Sequence, residues 1–207
     1  MGQKFEISDN QQVWLAEVEM ARRDLIRFRL LEEVEQGPAA PPVTLYLALI
    51  KFDHFEWAVE KATELGVTRV VPVEAERSEH GLFLGAQKRV ERWRRIGREA
   101  SEQSRRSHTP AIDDPLRLRD ALKDESKHRI WFDEQPGAKS LMSLLEAGPV
   151  EPTAILIGPE GGWSPAERDL FAASGWTAAS LGPLVLRAET AVCAALAVIT
   201  QMSRNYN

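Results

Sequence analysis

An apolar run that stops at a glycine- and proline-rich turn, with a helix start directly after it, constrains this chain more than any other feature. It is Leu156-Ile157-Gly158-Pro159-Glu160-Gly161-Gly162-Trp163-Ser164-Pro165. A second joint of the same kind follows at Leu181-Gly182-Pro183-Leu184-Val185-Leu186-Arg187-Ala188-Glu189-Thr190. Two strand–turn–helix joints so close in sequence predict neighbouring strands whose carboxyl ends share one crevice. Open α/β sheets bind ligands there. Ser164-Pro165-Ala166-Glu167 spells a capping box: Ser164 caps, Pro165 takes the first helical position and Glu167 reaches back. Gly158, Gly161 and Gly162 let backbone approach a ligand or take positive φ. The spacing is neither a Walker loop nor G-x-G-x-x-G, which argues against ATP and NAD. One such loop alone is as well read as a tight turn with no ligand; the pair favours the crevice.

The rest of the chain places these joints in an alternation of strands and helices. Strands are predicted at 43–50, 67–73, 129–133, 153–157 and 178–181. Helices are predicted at 53–65, with Asp53 as cap and Gly66 as stop, and at 86–104, 139–147 (with Gly148 after it), 164–174 and 188–203. Short apolar strands alternating with helices imply a mostly parallel sheet covered on both faces. Residues 4–35 read differently. Ile26, Phe28 and Leu30 alternate with Arg27 and Arg29, the pattern of a half-buried strand in a β ribbon. That ribbon is too short to bury a core alone and must pack on the main domain or on a partner chain, or be part of a domain cut short. Gln36-Gly37-Pro38-Ala39-Ala40-Pro41-Pro42 is a stiff linker. The expected organisation is therefore a β segment over 1–36, a linker over 37–42 and a main domain over 43–207.

Charge is uneven. The net charge is −5, yet Lys88, Arg89, Arg92, Arg94, Arg95, Arg98, Arg105 and Arg106 crowd one segment against only Glu91, Glu99 and Glu102. A basic patch on an acidic protein suggests a polyanion contact. A solvated helix face with pairs such as Glu91–Arg95 explains it equally well. The lone Cys193 sits in an apolar run and reads as a packed core residue, in keeping with a reducing, cytoplasmic setting. That run is too short to span a bilayer, and Met1–Glu6 is too polar for a signal peptide. His54, His80, His108 and His128 are scattered, with no metal-ligand spacing, and no nucleophile triad can be drawn. In the second joint, Arg187 and Glu189 are the polar groups. Their structural readings are an ion pair for Arg187 and a helix cap for Glu189.

At these residues the chain closely resembles the SPOUT superfamily, and within it the RsmE-type uridine N3-methyltransferases of 16S ribosomal RNA. The resemblance rests on Ile157–Ser164 with Glu167, on Leu181–Ala191, on Glu60–Val67, on Glu76–Ser78, on Glu99–Arg106 and on Lys51. It covers 43–203 nearly end to end. It implies an α/β fold with a deep C-terminal trefoil knot, S-adenosylmethionine bound in the knot, and a homodimer acting on small-subunit ribosomal RNA with no metal and no membrane. The cofactor is then expected at Leu156, Ile157, Gly158, Pro159, Glu160, Gly161, Gly162, Leu181, Gly182, Leu184, Val185, Leu186 and Thr190. Arg187 is the expected stabiliser of charge on the uracil oxygens. Glu189 is expected to orient Arg187 or accept the N3 proton. RNA contacts are expected from Lys51, Gln103, Ser104, Arg105 and Arg106.

Three departures stand out. Leu184 replaces an arginine of the family pattern, and Arg105 replaces a glycine. The segment Gly2–Glu35 matches only the second half of the family's PUA-like RNA-binding β domain, as if the chain began partway into it. A knotted RNA-binding assembly factor without activity, or a methyltransferase acting on another RNA, are the competing readings.

Overall fold

The computed structural model describes residues 2–36, 40–135, 137–146 and 151–204. The chain opens with an antiparallel meander, β1 (Lys4–Ser8), β2 (Val13–Arg22) and β3 (Leu25–Glu33), in that spatial order. The first turn is closed by Asp9 Oδ1, which accepts from the backbone N–H groups of Gln11 and Gln12 at 2.9 and 2.8 Å. The meander is tied to the rest of the molecule by that turn. Ser8 Oγ donates to the carbonyl of Ser107 at 2.6 Å, and Asn10 Oδ1 accepts from the N–H of Thr109 at 2.6 Å. Val13 and Ala16 are buried, but the expected inward face is not: Ile26 is 56% and Leu30 52% exposed. Only Phe28 is half-buried, edge-on to Phe5. Alternation marks a face of a strand; it does not supply a layer to cover it.

The main domain follows as β4 (Val43–Ala48), α1 (Phe52–Glu64), β5 (Arg69–Glu74), α2 (Leu82–Gln87), α3 (Val90–Gln103), β6 (Ala111–Ile112), β7 (Leu116–Arg117), α4 (Leu118–Ala121) and β8 (His128–Phe132). It continues with β9 (Lys139–Ser140), α5 (Leu141–Leu145), β10 (Thr153–Ile157), α6 (Pro165–Ala173), β11 (Thr177–Ser180) and α7 (Ala188–Arg204). The strands form one sheet, ordered β6-β5-β4-β10-β8-β11-β9, with β7 also pairing with β5. Every pairing in it is parallel. After β8 the chain crosses to the edge at β9, returns to lay β10 between β4 and β8, then crosses back to β11.

The sheet is buried on both faces, as its continuous apolar strands require. Along β10, Ile155 and Ile157 join Leu45, Leu47, Phe55, Trp93, Leu196 and Ile199 on the side of α1, α3 and α7. Ala154 and Leu156 join Tyr46, Val71, Trp131, Trp163 and Phe171 on the other. Helix α7 lies over the sheet through Ala188, Val192, Ala195, Leu196 and Ile199. Cys193 on this helix is half-buried, and burial pushes its thiol above the usual range. That makes it a poor nucleophile. No helix among the described residues is long and apolar enough to cross a membrane.

The expected long helix over 86–104 is two helices, broken at Lys88–Arg89 with no glycine or proline to announce it. Arg89 instead stacks over Phe52 at 4.4 Å and reaches Glu56 at 3.0 Å. Asp53 lies in the first turn of α1 and does not cap it; Lys51 holds the cap position without a side-chain bond. The helix expected over 139–147 covers only Leu141–Leu145, after a short strand. Gly148 and linker residues 37–39 fall outside the described residues.

Much of the basic segment is used internally. Arg92 forms a forked pair with Glu56, both bonds at 2.7 Å. With Arg89 it holds the Glu56 carboxyl below the usual range. Arg94 takes Glu91 at 2.6 Å, so the expected Glu91–Arg95 pair does not form, and Arg95 faces Glu99 at 3.8 Å. Arg106 differs most from its expected RNA contact. Its Nη1 donates to the carbonyl of Thr63 at 2.7 Å, in the last turn of α1, and burial pulls its pKa down. That carbonyl also accepts from the Gly66 N–H at 3.1 Å, and a cation there complements the negative end of the α1 dipole. Arg105 beside it has φ 55, the left-handed position after α3, and this explains why a glycine suits that place.

These two arginines should therefore part company. Arg106→Ala is expected to lower the unfolding free energy by about 1–3 kcal/mol. Arg105→Gly is expected to raise it by about 0.5–1 kcal/mol, by relieving the left-handed residue. Urea unfolding of both variants checks this, and equal small effects would contradict it.

Candidate active site

The crevice is built where β8, β10 and β11 end. After Ile157 the chain turns sharply, with Gly162 N–H donating to the Pro159 carbonyl at 2.9 Å. Gly158 lies flat against the buried indole of Trp163: a Cβ there would stand 2.9 Å from Cε2. The Trp163 Nε1–H donates to the carbonyl of Phe132 at 3.0 Å, which fixes the loop after β10 to the end of β8. The capping box forms as read from the sequence. Ser164 Oγ accepts from the N–H of Glu167 at 3.2 Å, and Glu167 Oε2 accepts from the N–H of Ser164 at 2.8 Å.

The same groups reach a third loop. Glu167 Oε1 accepts from the backbone N–H of Glu76 at 2.8 Å, and Ser164 Oγ donates to Glu76 Oε2 at 2.6 Å. Arg77 adds a bond to the Gly161 carbonyl at 2.9 Å. Behind the loop, Arg168 forks onto Asp133 at 2.8 and 2.9 Å and donates to the Trp163 carbonyl at 2.7 Å. The second joint is looser. Ser180 Oγ bonds to both the N–H and the carbonyl of Gly182, whose φ is 128. Leu184 and Val185 then stand 76% and 79% exposed before α7 begins.

Between the two joints lies an open crevice of about 240 Å³. Phe132, Ile157, Trp163, Leu186, Ala188 and Ala191 give it apolar walls, and the glycine loops give it backbone. Among the described residues, Asp133, Glu134 and Glu160 are its only charged lining residues, all acidic. Such a lining repels phosphates and suits a ligand that is cationic or rich in N–H and O–H donors.

Residues 38–200 match the family model of the RNA methyltransferase domain. The chain belongs to that family. The ribosomal RNA small subunit methyltransferase E of Aquifex aeolicus is 30% identical over 201 residues, which span 95% of this chain and 85% of the relative. The enzyme of the same name from Bacillus subtilis is 32% identical over 194 residues, 89% of this chain and 75% of that one. A crystal structure of ribosomal RNA small subunit methyltransferase E from Neisseria gonorrhoeae, bound to S-adenosyl methionine, superposes with a TM-score of 0.87 at 26% identity. It covers 97% of this chain and 83% of that chain.

In this RNA methyltransferase the residues singled out by the joints fall into three groups. Ile157, Gly158, Pro159, Glu160, Gly161, Gly162, Leu181, Gly182, Leu184, Val185 and Leu186 all line the crevice. Leu156 does not; its side chain faces the opposite core. Arg187 and Thr190 are exposed and lie outside the lining. Glu189 is not paired with Arg187. Its Oε1 meets His54 Nδ1 at 2.9 Å, joining the first turns of α7 and α1, while its Oε2 is buried without a partner. Lys51, Gln103 and Arg105 are exposed, and Ser104 Oγ is spent on the Ala100 carbonyl at 2.6 Å.

The contacts of Asp133, Glu134, Trp163 and His54 are not legible in the sequence. Each residue acts through a partner distant along the chain, and no local pattern carries such pairings. Gly158→Ala tests the tightest of these contacts. The added methyl must displace a buried indole, so the variant should lose about 1–3 kcal/mol of stability. Trp163 fluorescence should shift with it; an unperturbed thermal transition would contradict the packing.

Proposed function

We propose that this enzyme transfers the methyl group of S-adenosylmethionine to N3 of a uridine in small-subunit ribosomal RNA. The observation that carries the reading is the crevice: backbone loops, apolar walls and a wholly acidic charged lining at the ends of β8, β10 and β11. It fits a sulfonium nucleoside and disfavours a nucleotide. The structural neighbour bound to S-adenosyl methionine and the relatives' names point the same way. The bound cofactor supplies an electrophilic methyl group, so the hard chemistry is its own. Gly158, Gly182 and Leu186 hold the adenosyl part through backbone amides and apolar contact.

What remains for the protein is to present N3 in line and help it lose its proton. Arg187, exposed just outside the crevice, is suited to face the uracil oxygens and stabilise the charge that develops as N3 deprotonates. Glu189, held by His54 two positions from Arg187, is the carboxylate this reading offers to accept the proton, once its buried Oε2 is opened by the incoming base. Lys88, Arg98 and Arg105 have no side-chain hydrogen bond or ion pair among the described residues; with Lys51 and Gln103 they are the groups offered to RNA phosphates. The base must leave its stack to reach the methyl group. In this reading the loops at 158–162 and 182–187 are the crossing loops of a trefoil knot, two copies of the chain form the working enzyme, and the ribosomal substrate places it in the cytoplasm.

Arg187→Ala should lower turnover by about 10²–10³-fold and leave cofactor affinity within a few-fold. Single-turnover methyl transfer and calorimetry measure the two separately. Loss of cofactor binding instead would make Arg187 a binding residue.

A further inference from the structure

Glu134 lines the crevice, yet neither the glycine joints nor the capping box accounts for it. Its carboxylate is built into place. Gly162, at φ 66, carries no side chain where Glu134 Oε1 sits: a Cβ there would stand 2.9 Å from that oxygen. Arg168 approaches Glu134 at 3.6 Å from behind, and is itself clamped to Asp133 and to the Trp163 carbonyl. The loop after β8, the loop after β10 and the first turns of α6 thus converge to present one carboxylate to the crevice.

Two further facts say what it meets. Arg168 already faces the Glu134 charge, whereas Glu160 on the same lining has no ion pair among the described residues. Glu134 is therefore suited to neutral donors, and Glu160 is the lining charge left free for a cation. A carboxylate has two oxygens that only accept. Oε1 lies against Gly162 and Arg168, which leaves Oε2 the freer acceptor for a ligand hydroxyl, and nucleoside sites elsewhere use an acidic residue against the ribose 2′-hydroxyl in this way.

We infer that Glu134 is a specificity residue that accepts a hydrogen bond from the ribose 2′-hydroxyl of the adenosyl cofactor, with Arg168 and Gly162 positioning it. The inference rests on the cofactor named under the proposed function. The test is calorimetry with S-adenosylhomocysteine and its 2′-deoxy analogue on the full chain and on Glu134→Gln and Glu134→Ala. The unaltered protein should prefer the hydroxylated ligand by at least about tenfold. In both variants that preference should shrink to within about threefold, while the thermal transition of Glu134→Gln stays near that of the unaltered protein. A preference that survives in the variants, or is absent from the unaltered protein, overturns the assignment. If the unaltered protein binds neither ligand, the cofactor reading itself fails and this inference falls with it.

Discussion

One buried carboxylate holds the candidate site together. Glu167 is 6% exposed, and its two oxygens accept from the N–H groups of Ser164 and Glu76 at 2.8 Å each. The first bond closes the N-terminus of α6; the second ties α6 to the loop after β5. A carboxylate removed from water must be satisfied in this way, and charge-assisted bonds to backbone N–H groups are among the stronger ones. Because Ser164 also donates to Glu76, the cap is a three-residue network rather than a local motif. The glycine loop between Ile157 and Ser164 hangs from it. With its far end fixed and Gly158 pressed on Trp163, the loop has little freedom, so one wall of the crevice exists before any ligand arrives.

The molecule also separates its charges by task. Carboxylates line the crevice, with Asp133 neutralised by Arg168 and Glu160 without an ion pair among the described residues. The arginines gather on α3 and the turn after it, where several are consumed by Glu56, Glu91 and Thr63. Within this segment, Lys88, Arg98 and Arg105 are the cations with no side-chain hydrogen bond or ion pair among the described residues, so the run of charge in the sequence overstates the free charge on the surface. A methyltransferase acting on RNA needs this division, because a basic crevice would draw the phosphates meant for the outer surface.

The features legible in the sequence are those set by near neighbours. The capping box, the parallel sheet between two helical layers, and the shared crevice at two glycine joints all follow from short-range pattern and reappear in the structure. Leu156, expected at the cofactor, faces the far core because alternation in a doubly buried strand sends every second side chain there. Arg106 read as surface charge because nothing local reveals that Thr63 lies across from it. The pairing of Glu189 with His54 spans 135 positions, and the anchoring of Arg168 by Asp133 spans 35. Such contacts exist only once the sheet has assembled. The ribbon's apolar alternation marks a face to be packed, and in the chain alone Ile26 and Leu30 stay exposed, since burial depends on a covering layer and not on the strand itself.

The most direct test of the account is methyl transfer with the product mapped. The chain would be incubated with S-adenosylmethionine and small ribosomal subunits that lack the modification, and the RNA digested for mass analysis of each nucleotide. The account predicts one added methyl group, on N3 of a single uridine of small-subunit RNA. Cofactor binding with no transfer, or a methyl group on another base or another RNA, would contradict it.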